Sequence, residues 1–257
     1  MESKFKGESF FLKGGEKAVI LVHGFTSSTQ EIEHLGLTLA QNGFTVYAPL
    51  LVGHNRNFAE FKKTKATDYY DSVVDVYNKL TDYKSIDIIG LSFGATLSLR
   101  LAINYPKIRK IVTLAPAIFY YDSAISLMPL LQIYPGKIMK KITKNSETGI
   151  FSRWDLFNPE ALDRRIAYSW FAFPQLQSTR KFMQQVRAEL QKIIQPMLII
   201  HSHRDTTTKV EGARYLYDNI GSQDKQLFIL EKSGHVITED YEAKKVEQQI
   251  VNFLLKQ

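Results

Sequence analysis

The chain of 257 residues contains no cysteine. That absence excludes a disulfide framework, a thiolate nucleophile, a CxxC zinc knuckle and a thioredoxin-type redox motif. No apolar stretch approaches the roughly 20 residues needed to span a bilayer; the strongest, Ala18 to Val22, is strand-sized. The first residues, Met1-Glu2-Ser3-Lys4-Phe5-Lys6, are charged and lack the apolar core of a signal peptide, so a cytoplasmic location without stable membrane insertion is expected. Fixed-period repeats and low-complexity tracts are also missing. What is present is 44% hydrophobic and 12% aromatic residues, far more apolar payload than a disordered chain carries. Basic residues outnumber acidic ones, 33 to 26, for a formal charge of +7. The lysines are scattered, with short clusters at Lys62-Lys63-Lys65 and Lys137-Lys140-Lys141-Lys144, and no nucleic-acid motif lies beside them. A solvated surface accounts for them better than a nucleic-acid partner.

Short aliphatic runs alternate with amphipathic stretches. Ala18–Val22, Thr45–Tyr47, Ile86–Ile89, Ile108–Leu114, Met197–Ile200 and Gln226–Leu230 read as strands. Their apolar residues are continuous rather than alternating, as strands covered on both faces require. Between them, Gln30–Asn42, Thr67–Tyr83, Phe93–Tyr105 and Glu242–Leu255 carry apolar residues at helical spacing. This alternation predicts an α/β fold with a mostly parallel, doubly wound sheet and helices on both faces. Glu8–Leu12 followed by Lys13-Gly14-Gly15-Glu16 suggests a hairpin into the first central strand. Residues 119–192 break the rhythm: they offer aromatics and helical fragments cut by Pro129, Pro135, Pro159 and Pro174. They read as a helical lid inserted into a core made of 1–118 and 193–257.

The sharpest chemical signal is Gly90-Leu91-Ser92-Phe93-Gly94, after one strand and at the head of a helix. A serine in a strained strand-to-helix turn needs small residues on either side and exposes its hydroxyl at the edge of the sheet. A hydroxyl near neutral pH needs a base. His235, in Lys232-Ser233-Gly234-His235-Val236, follows the last strand and so reaches the same edge. Asp205 follows the strand Met197–Ile200 and can hold the imidazole in the right tautomer. His23-Gly24-Phe25-Thr26 follows the first buried strand; the backbone N–H groups of Phe25 and Phe93 are candidates for stabilising an oxyanion. His23 and His54 read as supports for turns. A competing pattern, His201-Ser202-His203-Arg204-Asp205, has the H-x-H-x-D spacing of a metal cluster and would make a metal-dependent hydrolase. His235 is the only histidine after it, too few for a two-metal site.

Val22-His23-Gly24-Phe25-Thr26, Gly53-His54, Gly90-Leu91-Ser92-Phe93-Gly94, His203-Arg204-Asp205 and Ser233-Gly234-His235-Val236-Ile237-Thr238 together resemble the α/β-hydrolase family, in its bacterial carboxylesterase and monoacylglycerol lipase branch. The resemblance implies Ser92 as nucleophile, Asp205 as acid, His235 as base, Phe25 and Phe93 as oxyanion donors, and no cofactor. It also implies a small-molecule ester as partner, met by Gly24, Phe25, Phe119, Leu127, Met128 and Val236. A hydroxycinnamoyl (feruloyl-type) ester is the alternative substrate within the family.

Overall fold

A computed structural model describes residues 3–119, 155–168 and 173–256. Seven strands form one sheet: β1 (Phe10–Leu12), β2 (Lys17–Val22), β3 (Thr45–Ala48), β4 (Ser85–Leu91), β5 (Ile108–Leu114), β6 (Met197–Ser202) and β7 (Lys225–Leu230). Their order is β1-β3-β2-β4-β5-β6-β7, and every pairing except β1 with β3 is parallel. The helices are α1 (Glu33–Gln41), α2 (Phe58–Phe61), α3 (Ala66–Lys79), α4 (Phe93–Asn104), α5 (Pro159–Arg164), α6 (Phe173–Arg187), α7 (Val210–Asn219) and α8 (Ala243–Leu255).

The uninterrupted apolar strands are explained by the two layers they separate. In β2, Ala18, Ile20 and Val22 face α3 and α4, with Val73, Val76, Leu97 and Leu101 among the buried residues there. Val19 and Leu21 face the opposite layer, where Leu35 and Leu39 of α1 meet Val246, Ile250 and Phe253 of α8. Each such aliphatic side chain contributes about 1.5–3 kcal/mol when fully buried, so covering both faces anchors the middle of the sheet most firmly. Helix α6 packs on α3 and α4.

One expectation fails. The strand Phe10–Leu12 is not the first arm of a hairpin with β2; it pairs antiparallel with β3, Phe10 opposite Ala48 and Leu12 opposite Val46. The intervening glycines form no tight turn. Gly14 donates to Thr45 Oγ1 at 3.0 Å and Gly15 donates to Gly43 O at 2.9 Å, so the chain slides past the start of β3 to reach β2. A Cβ on Gly14 would overlap the Phe44 carbonyl, which is why glycine stands there.

Because β2 to β7 run parallel, their C-terminal ends share one edge. The loops that follow β2, β4, β5, β6 and β7 are therefore delivered to the same side, whatever their distance in sequence.

Candidate active site

Ser92 sits between β4, the middle strand, and α4, with φ 56° and ψ −118°. This is a left-handed, strained backbone for a residue with a Cβ. Its amide donates to Leu114 O at 2.8 Å and its carbonyl accepts from Ala95 and Ala117 at 3.0 and 3.1 Å, so the turn is held on both sides. The flanking glycines are steric necessities. A Cβ on Gly90 would overlap the carbonyl of Gly94, and a Cβ on Gly94 would overlap the carbonyls of Val22 and His23. The elbow thus bends back onto itself and presses against the end of β2. The serine side chain makes no capping hydrogen bond to α4, and the residue is half-buried.

Asp205 and His235 are brought together. Nδ1 of His235 lies 2.8 Å from Oδ2 of Asp205. A carboxylate only accepts, so Nδ1 carries the proton and Nε2 is left as the basic nitrogen. The other Asp205 oxygen, Oδ1, accepts from the amides of Thr207 and Thr208 at 2.8 and 2.9 Å. Burial alone raises a carboxyl pKa, but His235 and these N–H donors outweigh it and hold Asp205 below its ordinary value. Burial pulls His235 down, whereas the Asp205 charge and hydrogen bond outweigh it and hold the imidazole above 6.5.

The loop after β2 lies over the elbow, where a Cβ on Gly24 would come within 3.3 Å of Ser92 Cβ. Two buried histidines shape this loop. His23 donates from Nδ1 to Gly24 O at 2.9 Å and accepts Leu51 N–H on Nε2 at 3.0 Å. His54 accepts Thr26 N–H on Nε2 at 3.2 Å, next to Thr26's positive φ of 68°. Burial lowers both pKa values, so both rings are neutral, in the turn-supporting role their positions suggested. Glu31, 2% exposed, accepts the Gly24 N–H at 2.6 Å. Phe93 begins α4, where an amide has no partner within its own helix. Its ring is 1% exposed and sits 6.2 Å from Phe25, 6.4 Å from Tyr69 and 6.0 Å from Phe182. Phe25 also meets Phe61 at 5.7 Å, so one wall beside the elbow is aromatic.

The remaining residues expected to meet substrate have these surroundings. Val236 is 1% exposed, packed in the layer that includes Leu156 and Ala161. Phe119 lies edge-on to Tyr215 at 4.9 Å with the Arg187 guanidinium 4.5 Å above its ring. Leu127 and Met128 fall outside the described residues. The H-x-H-x-D pattern does not converge: His201 is buried whereas His203 is exposed, and among the described residues no group of three His, Cys, Asp or Glu could hold a metal ion. His201 instead donates from Nε2 to Thr208 O at 2.5 Å; burial lowers its pKa to about 4, so it is neutral.

Three residues near the site were not anticipated: Asp155, Glu31 and Thr208. The Asp155 carbonyl accepts from His235 N at 2.5 Å and Val236 N at 3.2 Å, and its carboxylate accepts from the amide and hydroxyl of Thr206. It therefore ties the acid loop to the histidine loop. Gly234 is required there, because a Cβ would overlap the Asp155 carbonyl.

A mostly parallel sheet with a strained serine turn at its middle strand, and an acid and a histidine after the last two strands, is the architecture of an α/β-hydrolase. A family profile described as serine aminopeptidase, S33 (Hydrolase_4) matches residues 15–242, and the chain belongs to that family. It is similar to a carboxylesterase of Bacillus subtilis (strain 168), 30% identical over 96% of each chain. It is also similar to a thermostable monoacylglycerol lipase of Bacillus sp. (strain H-257), 29% identical over 97% of this chain and 94% of the relative. In structure it resembles a metagenome-derived lipolytic enzyme over the whole of both chains, with a TM-score of 0.85 at 24% identity. The protein is thus a serine hydrolase of the esterase and lipase class. Among the described residues no helix is long and apolar enough to cross a membrane.

Proposed function

We propose that the chain hydrolyses carboxylic esters with small to medium apolar acyl groups, with Ser92 as nucleophile, His235 as general base and acid, and Asp205 as its orienting partner. The observation that carries this reading is the 2.8 Å contact of His235 Nδ1 with Asp205, which leaves Nε2 as the basic nitrogen at the sheet edge that also presents the strained Ser92. Nε2 takes the proton of the Ser92 hydroxyl as Oγ bonds to the ester carbonyl carbon. The negative charge moves to the carbonyl oxygen, where the N–H groups of Phe25 and Phe93 stabilise it. The tetrahedral adduct collapses, the ester C–O bond breaks, and the leaving alcohol takes the proton back from His235. Water, deprotonated by the same nitrogen, then attacks the acyl carbon; the acid departs and Ser92 recovers its proton. No step draws on a cofactor.

The acyl group is placed against the aromatic wall of Phe25 and Phe93, with Gly24 allowing close approach to the carbonyl. In this reading the segment 119–192 is assigned the role of a cap, with Phe119 among its described residues, and Val236 backs the histidine loop. The described part of that segment supports the idea, since Tyr168 donates its amide to Thr26 O at 2.7 Å and its ring stacks 4.4 Å from Phe61.

Kinetics with p-nitrophenyl esters of increasing chain length, a monoacylglycerol and methyl ferulate test the reading. Wild-type protein is expected to favour the aliphatic esters, to be labelled by a fluorophosphonate probe, and to lose both properties in Ser92→Ala. Near wild-type turnover in that variant overturns the assignment, and a preference for methyl ferulate moves the substrate to the hydroxycinnamoyl class.

A further inference from the structure

Thr208 has no role in the reaction as derived so far, yet its side chain touches both of the groups that flank it. Its Oγ1 lies 3.0 Å from Oδ2 of Asp205, 3.2 Å from Nδ1 of His235 and 3.2 Å from the carbonyl of Ala115. We propose that Thr208 is a positioning residue for the Asp205–His235 pair, its hydroxyl donating to the same carboxylate oxygen that the imidazole grips. The proposal rests on the hydrolytic reading above.

The geometry leaves the Thr208 backbone little freedom. Thr208 is 3% exposed. Its amide is spent on Asp205 Oδ1 at 2.9 Å, and its carbonyl accepts Nε2–H of the buried His201 at 2.5 Å. Held at both ends of its backbone, the residue presents its hydroxyl between acid and base. Two donors then meet each carboxylate oxygen: the Thr207 and Thr208 amides on Oδ1, the imidazole and the Thr208 hydroxyl on Oδ2. Four donors on two oxygens fill the acceptor capacity of a carboxylate and fix its plane.

The single hydroxyl proton has two acceptors within reach, Asp205 Oδ2 and Ala115 O. Aimed at Asp205, it draws charge from Oδ2 and loosens the carboxylate's hold on a protonated imidazole. Turned to Ala115, it offers a lone pair toward Nδ1–H. Ala115 itself follows Leu114, the residue whose carbonyl anchors the Ser92 amide, so the contact ties the pair back to the elbow. The His201 ring, otherwise unexplained, acquires a purpose: it clamps the peptide that carries this hydroxyl.

Thr208→Val keeps the shape and deletes the hydroxyl. In this variant kcat/KM on the alkaline plateau is expected to fall roughly tenfold, the loss of one hydrogen bond to a charged group, with KM little changed. The midpoint of the acid limb of kcat/KM should move upward by about half a unit or more, because Oδ2 regains charge beside the imidazole. The other titratable groups facing His235 are His201 in β6, Asp155 before α5 and Glu31 after β2, and the substitution changes none of them. Thr208→Ser, which restores the hydroxyl without the methyl group, should recover both the rate and the midpoint. Thr208→Ala repeats the deletion with less bulk, should valine prove insoluble, and carries the same expectation.

Wild-type rate and midpoint in the hydroxyl-free variants overturn the proposal. So does a serine variant that behaves like valine, which would make methyl packing the cause. Ser92→Ala run alongside separates the two levels: an active Ser92→Ala refutes the hydrolytic reading itself, whereas an inactive one with an unmoved Thr208→Val refutes only the role of Thr208.

Discussion

If the backbone at Ser92 is strained for the sake of chemistry, glycine at that position should make a more stable, inactive protein. At φ 56° and ψ −118° a residue bearing a Cβ carries a strain of about 1–3 kcal/mol. Glycine removes that strain but adds unfolded-state freedom worth about 0.5–1 kcal/mol. Loss of the hydroxyl costs no helix cap, because Ser92 makes no capping bond to α4. The balance favours Ser92→Gly over Ser92→Ala by roughly 1 kcal/mol, a rise in Tm of about 2–4 °C for a chain of this size. The comparison with alanine is the informative one, since the Ser92→Ala variant keeps the Cβ and hence the strain while also lacking the hydroxyl. At an ordinary helical or extended position the same alanine-to-glycine change destabilises by about 0.5–1 kcal/mol, so the sign alone discriminates. Thermal and urea unfolding of the three proteins, with ester hydrolysis measured in parallel, gives the answer. A glycine variant less stable than the alanine variant would refute the claim that strain is stored at the elbow.

Three further outcomes follow from the geometry. In the proposed mechanism His235 works as an unprotonated base, and Asp205 holds its pKa above 6.5 against the pull of burial, so kcat/KM should decline on the acid side with a midpoint above 6.5; a midpoint near 6 or below contradicts the pair as described. The same upward shift is a stability term that is fully present below the unfolded pKa and is lost as pH rises through the folded one, so Asp205→Asn should cost more stability at pH 6 than at pH 8. Gly94→Ala should lower stability by about 3 kcal/mol or more, because its Cβ meets the Val22 and His23 carbonyls, whereas Gly43→Ala, at φ 86° with nothing within 4 Å, should cost only about 1–2 kcal/mol. Equal melting temperatures for the two glycine variants would contradict the contact.

Much of this was legible in the residues because parallel strands and their helices carry strong local signals. The run Ala18–Val22 and the continuous apolar stretches of β4 to β6 announce a doubly covered sheet, and the glycines around Ser92 announce the elbow. Helix α7 gave little signal, because Val210, Ala213 and Leu216 are few apolar residues on an otherwise polar stretch. The pairing of β1 with β3 was hidden because strand partnership is set by chain path, not by proximity in sequence. Asp155 could not be read either: it meets His235 80 positions further along through a backbone carbonyl, which every residue type possesses. Glu31 looks like a surface carboxylate until the loop after β2 folds over it.

The order in which β4, β6 and β7 leave the ribosome has its own consequence. Ser92 is translated more than a hundred residues before Asp205, and His235 comes later still. In the proposed mechanism, a chain that stops short of β7 holds the Ser92 hydroxyl without the base that would deprotonate it. On that reading, ester cleavage would report that synthesis and folding of the chain had run to completion.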